Sequence, residues 1–359
     1  MVALTFYEGV TIPPVIIIPF LCAGMVSLCS VTGSFREQVD GFAKASSSRK
    51  KEGTTMRIQL KNILSATDFS DASNLAISYG QKLAKEYSAK LFLCHVLSVP
   101  TGYGEALPDP FIQQSRMMDQ ATERFTRWME GQSVEWEPIV SIGSAAEEIT
   151  RYAEEKKVDL AICATHGRSG LKRLILGSVT ERLMRSLTCP VLVVRPQPVE
   201  LAGSPPEEVR FKRILVGCDF SPDSDLAFQY ALSLAQEYLS ELHAVHVIEP
   251  PIYKHMLNAT KVEGIRQPLR GQLKEKLSDM IPQDAHNWCK PVTALLAGEP
   301  YDELTKYAVV NEIDLVVLGL RGRTLVETLL MGSTTDRVIR QAPCPVLSVQ
   351  PVRWGQGTA

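Results

Sequence analysis

Two rhythms of apolar residues alternate along this chain from residue 57 onward. Short continuous runs such as Leu91-Phe92-Leu93-Cys94, Leu160-Ala161-Ile162-Cys163 and Val191-Leu192-Val193-Val194 are strand-like, and the longer mixed stretches between them are helical. Over the first half this predicts strands at 61–67, 90–97, 136–141, 159–164 and 191–194, with helices at about 71–87, 112–130, 144–156 and 178–187. A continuous apolar run suits a strand covered on both faces, so the alternation predicts an α/β fold in which helices flank a parallel sheet.

The pattern then repeats. Lys61-Asn62-Ile63-Leu64-Ser65-Ala66-Thr67-Asp68-Phe69-Ser70 matches Lys212-Arg213-Ile214-Leu215-Val216-Gly217-Cys218-Asp219-Phe220-Ser221, 151 positions later. The match persists through Tyr79 and Tyr230, Glu86-Tyr87 and Glu237-Tyr238, and His95-Val96 and His246-Val247. From Gly143 and Gly298 to Cys189-Pro190-Val191-Leu192 and Cys344-Pro345-Val346-Leu347 the spacing is 155, so the second copy holds four extra residues. They are expected in the loop or helix after its second strand. Two copies of one domain result, at 57–196 and 211–351. The linker between them, 197–210, carries Gly203, Pro205, Pro206, Glu207 and Glu208.

The 359-residue length accommodates both copies and leaves an N-terminal extension at 1–55. With 45% hydrophobic and 22% charged residues the chain matches ordinary globular domains, which argues against a disordered or fibrous protein. A net charge of -2 supplies no drive toward nucleic acid. None of the eight cysteines forms a C-x-x-C pair, and Cys94 and Cys163 sit inside strand-like runs, so they are expected to be small apolar core residues in a reducing compartment. Within the extension, Val10 to Thr32 is almost wholly apolar but is interrupted by Pro13, Pro14 and Pro19. Two readings stand: a membrane anchor, with Arg36, Lys44, Arg49, Lys50 and Lys51 holding the following side in the cytoplasm, or a true start at Met56. Either places both domains in the cytoplasm.

Three features of each copy fall at the carboxyl ends of the predicted strands, where an open parallel sheet binds ligands. Asp68 and Asp219 end the first strand; each carboxylate suits a ribose or base amine, or a turn ahead of the following helix. After the fourth strand comes a glycine-bearing loop: Ala164-Thr165-His166-Gly167 with Gly177-Ser178, and Gly319-Leu320-Arg321-Gly322 with Gly332-Ser333. Such glycines let backbone amides approach phosphate, the helix N-terminus adds free N–H groups, and Arg168 and Arg323 supply charge. Ser178-Val179-Thr180-Glu181 and Ser333-Thr334-Thr335-Asp336 also have or nearly have capping-box spacing, which accounts for the serines without a ligand but not for the glycine pairs. Third, Val96 and Val247 near the end of the second strand suit an adenine ring or a plain core. His95 and His246 read as satisfied interior histidines, and no metal-ligand set emerges. There is neither a G-x-x-x-x-G-K-[ST] loop nor a G-x-G-x-x-G after the first strand, which excludes P-loop and dinucleotide-dehydrogenase chemistry.

The aspartate after strand one, the His-Val pair of strand two and the spaced glycines with their serine together resemble the universal stress protein family, over most of the chain. The resemblance implies two tandem Rossmann-like (adenine nucleotide alpha hydrolase-like) domains, each with a five-stranded parallel sheet. It also implies contact through the last strand, Val191 to Val194 or Val346 to Val349, as a homodimer or an internal pseudo-dimer. For ATP, accompanied by Mg, it implies a site at Asp219, Val247, Gly319, Gly322, Gly332, Ser333 and Thr334. The first copy offers Asp68, Val96, Gly167, Gly177, Ser178 and Val179. It departs from the family pattern at Ala164, so ATP is expected in the second copy. The expected function is a cytoplasmic, ATP-binding regulatory module of the stress response and not a metabolic enzyme. Alternatives are a nucleotide-free interaction module and a slow ATP hydrolase, for which only His166 stands near by sequence.

Overall fold

Ile63 and Leu64 are neighbours on one strand and belong to different cores, because successive side chains of a strand point to opposite faces. In the computed structural model, which describes residues 57–97, 110–165, 176–195, 209–249, 270–322 and 331–351, this alternation organises the molecule. Copy one contains β1 (Asn62–Ala66), α1 (Asp71–Tyr87), β2 (Lys90–Leu97), α2 (Pro110–Met129), β3 (Trp136–Ile142), α3 (Ala145–Glu155), β4 (Leu160–Ala164), α4 (Ser178–Ser186) and β5 (Val191–Val194). Copy two contains β6 (Arg213–Gly217), α5 (Pro222–Tyr238), β7 (Glu241–Ile248), α6 (270–279), β8 (Lys290–Ala297), α7 (Pro300–Val310), β9 (Leu315–Gly319), α8 (Ser333–Gln341) and β10 (Val346–Val349). The copy-one strands and helices lie within two residues of the spans expected from the sequence.

The five strands of each copy are parallel, and the two sets join into one ten-stranded sheet of order β3-β2-β1-β4-β5-β10-β9-β6-β7-β8. The join is antiparallel, the one such pairing among the described strands, with Val346 opposite Val193, Leu347 opposite Leu192 and Ser348 opposite Val191. Packing follows from it. One core, with Leu75, Leu83, Phe125, Phe228 and Leu232, covers one face of the sheet across both copies, and the other, with Ile149, Leu183, Leu304 and Ile339, covers the opposite face.

Local chemistry sets the element ends. The hydroxyls of Ser70 and Ser221 accept from the N–H groups of Ser73 and Ser224, both at 3.2 Å, and so cap α1 and α5. Asp159 and Asp314, just before β4 and β9, accept backbone N–H groups from the neighbouring strands at Asn62 (2.9 Å) and Arg213 (2.8 Å), which fixes register at the sheet centre. The extra length of copy two falls largely after the helix and not within it. Arg124 and Lys276 stack on the equivalent rings of Phe69 and Phe220 and lie 152 apart, whereas Trp136 and Pro291, the equivalent partners of Leu91 and Leu242, lie 155 apart. Three of the four extra residues therefore lie between Lys276 and Pro291, the stretch that holds the five-residue 3-10 turn Gln283–Asn287.

Cys94 and Cys163 are buried in strands as expected, and loss of hydration pushes both thiols up to about 12. Among the described residues no helix is long and apolar enough to cross a membrane. The apolar stretch 10–32 lies outside the described residues, as does most of the 197–210 linker.

Candidate functional site

Strand order reverses beside β6, since β7 follows on one side and β9 is reached on the other, and the adjacent carboxyl ends of β6 and β9 are where an open parallel sheet receives ligands. The chain leaves β6 through a tight turn. The Asp219 carboxylate accepts from Ser221 N–H at 2.9 Å, and Phe220 takes a left-handed backbone at φ 61°. Copy one repeats this: Asp68 accepts from Ser70 N–H at 3.0 Å and from the Ser73 hydroxyl at 2.7 Å, and Phe69 has φ 64°. A phenylalanine in that region is strained, and the same strain in both copies indicates that the turn is held by its surroundings. The histidines do part of this. Nδ1 of His246 lies 2.6 Å from the Cys218 carbonyl and Nδ1 of His95 2.8 Å from that of Thr67, and their rings pack on Phe220 and Phe69. Both are interior histidines, as the sequence suggested.

The glycines of copy two serve three different purposes. A β-carbon on Gly319 would lie 2.7 Å from the carbonyl carbon of Asp223, at the start of α5. This position faces the helix, so internal packing by itself requires a glycine at 319. Copy one has Ala164 at the place of Gly319 and Ala72 at the place of Asp223. Gly322 differs: its β-carbon would sit 2.9 Å from the Asp219 carboxylate, so the loop after β9 is drawn directly against the acid that ends β6. Gly332 closes the arrangement, its N–H donating to the Leu320 carbonyl at 2.9 Å and its missing β-carbon 3.2 Å from that same oxygen.

Beyond Gly332 the capping-box reading of the serines fails. Gly332 and Gly177 are themselves the N-caps, Ser333 and Ser178 are already the first helical residues, and among the described residues no side chain caps either helix. The hydroxyls are exposed, and the first-turn N–H groups of α8 have no intrahelical carbonyl to meet. Thr335 instead turns inward, its hydroxyl donating to the Gly319 carbonyl at 2.8 Å, as Thr180 does to Ala164 at 2.7 Å. The acid of the first turn, Asp336, is engaged by Arg340 through bonds of 2.7 to 3.0 Å.

Asp219, Gly322 and Gly332 therefore meet at the carboxyl ends of β6 and β9, with Ser333 and Thr334 opening α8 beside them. Val247 lies on the adjacent strand β7, two positions beyond the last β6 pairing and partly buried against one core. In copy one Asp68, Val96, Gly177, Ser178 and Val179 take the equivalent places, with Gly177 N–H donating to the Thr165 carbonyl at 2.7 Å. Gly167, Arg168 and Arg323 lie outside the described residues. The sequence reading missed one pair: Asp223 accepts from the backbone N–H and Nε of Arg321 at 3.2 and 3.1 Å, pinning the loop between Gly319 and Gly322. The signal was present, because these complementary charges stand where copy one has Ala72 and His166.

The family model described as "Universal stress protein family" matches residues 59–195 and 210–350. Universal stress protein MJ0531 of Methanocaldococcus jannaschii is 32% identical over 141 residues, covering 39% of this chain and 82% of its own length. A universal stress protein of Mycolicibacterium smegmatis is 25% identical over 300 residues, covering 80% of this chain and 97% of its own length. The crystal structure of a universal stress protein from Archaeoglobus fulgidus shares the fold with TM-score 0.60 at 22% identity, covering 83% of this chain and 98% of that one. With both repeats matched, this chain belongs to the universal stress protein family.

Proposed function

We propose that this protein is an ATP-binding regulatory module whose working site is at the strand ends of copy two, between Asp219, the loop at Gly322, and the start of α8. The observation that carries this is the double close approach at Gly322 and Gly332, where β-carbons would meet the Asp219 carboxylate at 2.9 Å and the Leu320 carbonyl at 3.2 Å. A helix start capped by glycine, with its N–H groups unclaimed by any side chain among the described residues, suits a polyphosphate. Asp219 would accept from the ribose or base, Val247 would flank the ring, and Ser333 and Thr334 would donate to phosphate oxygens. Bound Mg would offset charge among the phosphates. A binding role rather than catalysis fits the histidine chemistry, since His246 spends Nδ1 on a backbone carbonyl. The regulatory output would be a change of conformation or partner with nucleotide state, in the cytoplasm.

The test is the nucleotide content of purified protein, released by denaturation and chromatographed, followed by ATP titration calorimetry. About one ATP per chain, lost in Gly332→Asp, supports the reading. No retained nucleotide and no titration heat would replace it with a nucleotide-free interaction module.

A further inference from the structure

Arg195 and Gln350 leave β5 and β10 at equivalent positions, and each crosses into the other copy. Nη2 of Arg195 donates to the Ile339 carbonyl at 3.1 Å and to that of Arg340, in the last turn of α8. Nε2 of Gln350 donates to the carbonyl of Leu187, which ends α4. The two helices that open onto the candidate sites thus finish on side chains from the opposite copy, but with different charge: α8 on a guanidinium, α4 on a neutral amide. Among the described residues near α8, Arg321 is engaged by Asp223 at 3.1 Å and Arg340 by Asp336 at 2.7 Å, while Arg337 lies over the Tyr301 ring. Among the described residues no carboxylate pairs with Arg195, and its guanidinium stays charged at any physiological pH.

We propose that Arg195 of copy one is a positioning residue for the nucleotide of copy two, strengthening anion binding at the start of α8 through the helix whose end it holds. This rests on the reading of the copy-two site given above. A helix carries partial positive charge at its N-terminus and negative at its C-terminus, and a full cation at the C-terminal end adds to the potential felt by an anion at the other end by direct Coulomb interaction. The nine residues of α8 set the separation at about 13.5 Å. Charges that far apart at a partly solvated site alter the affinity of a triphosphate by roughly three- to tenfold. An uncharged nucleoside feels none of this. Gln350 gives α4 no such bias, so the two sites of one chain differ in anion affinity through residues that neither site contains.

The experiment is calorimetric titration of the full chain with ATP and with adenosine, in a Gly177→Asp background that closes the copy-one loop. Arg195→Gln, which copies the residue at 350, is expected to weaken ATP about three- to tenfold and leave adenosine unchanged. Arg195→Lys, which keeps the charge, is expected to stay within about twofold of the parent. Equal weakening of both ligands would reduce Arg195 to a structural residue and overturn the proposal, as would unchanged ATP affinity. Gln350→Arg in a Gly332→Asp background supplies the independent arm: copy one should gain ATP affinity, and no gain counts against the proposal even if Arg195→Gln folds poorly. If the parent binds no ATP, the function proposed above falls with it; if the parent binds and the variants do not differ, only this inference falls.

Discussion

The Ser65 side chain on β1 occupies the space that a β-carbon on Gly80 of α1 would need. The hydroxyl then donates to the Ala76 carbonyl at 3.0 Å, and Leu91 Cδ1 stands 2.9 Å from the same missing atom. At the equivalent places copy two has Val216 and Ala231, both bulkier, so its helix and strand are spaced for side chains that copy one lacks. Gly80→Ala should therefore destabilise by about 1–3 kcal/mol through overpacking. This outweighs the roughly 1 kcal/mol that alanine gains in helix propensity. Urea denaturation decides the sign, and a stabilised Gly80→Ala would show that α1 moves off the sheet at little cost.

The serines that look alike in the sequence should separate in stability. Ser221→Ala removes a helix cap and is expected to cost about 1 kcal/mol. Ser333→Ala removes an exposed hydroxyl that caps nothing and should stay within about 0.5 kcal/mol, while ATP affinity falls. Equal losses of stability on thermal denaturation would restore the capping role to Ser333.

Since both cores run through both copies and β5 pairs with β10, the two copies should unfold as one unit. A urea titration followed by fluorescence and by circular dichroism should give coincident single transitions. Two resolved steps would mean that the antiparallel seam contributes little.

His243 supplies a pH dependence. It is 3% exposed on β7, with Nδ1 2.9 Å from the Tyr307 hydroxyl, and burial lowers its pKa more than the nearby Glu241 carboxylate raises it. The folded state thus favours the neutral ring. Its contribution is fully present above the unfolded histidine value of about 6.5 and is lost as pH falls from there toward the lowered folded pKa. The urea midpoint of the parent should drop over that window relative to His243→Gln, and parallel pH profiles would remove His243 as the cause.

The sequence by itself determined the strands and helices, the duplication and the family. Each rests on information carried along the chain: continuous apolar runs for strands buried on two faces, a fixed spacing between copies, glycines and hydroxyls at set intervals. It also placed the buried cysteines and the interior His95 and His246, because side chains inside strand-like runs have few other fates. What only the tertiary structure decided depends on residues far apart in sequence. Whether a glycine serves a ligand or its own fold turns on what its absent β-carbon would touch, and that separates Gly319, facing Asp223, from Gly322, facing Asp219. Whether a serine caps a helix turns on the cap geometry, which makes Gly177 and Gly332 the N-caps and leaves Ser178 and Ser333 as first helical residues. The reach of Arg195 to the end of α8, about 145 positions away, exists only because β5 and β10 lie side by side and antiparallel, a pairing that no periodicity along the chain encodes.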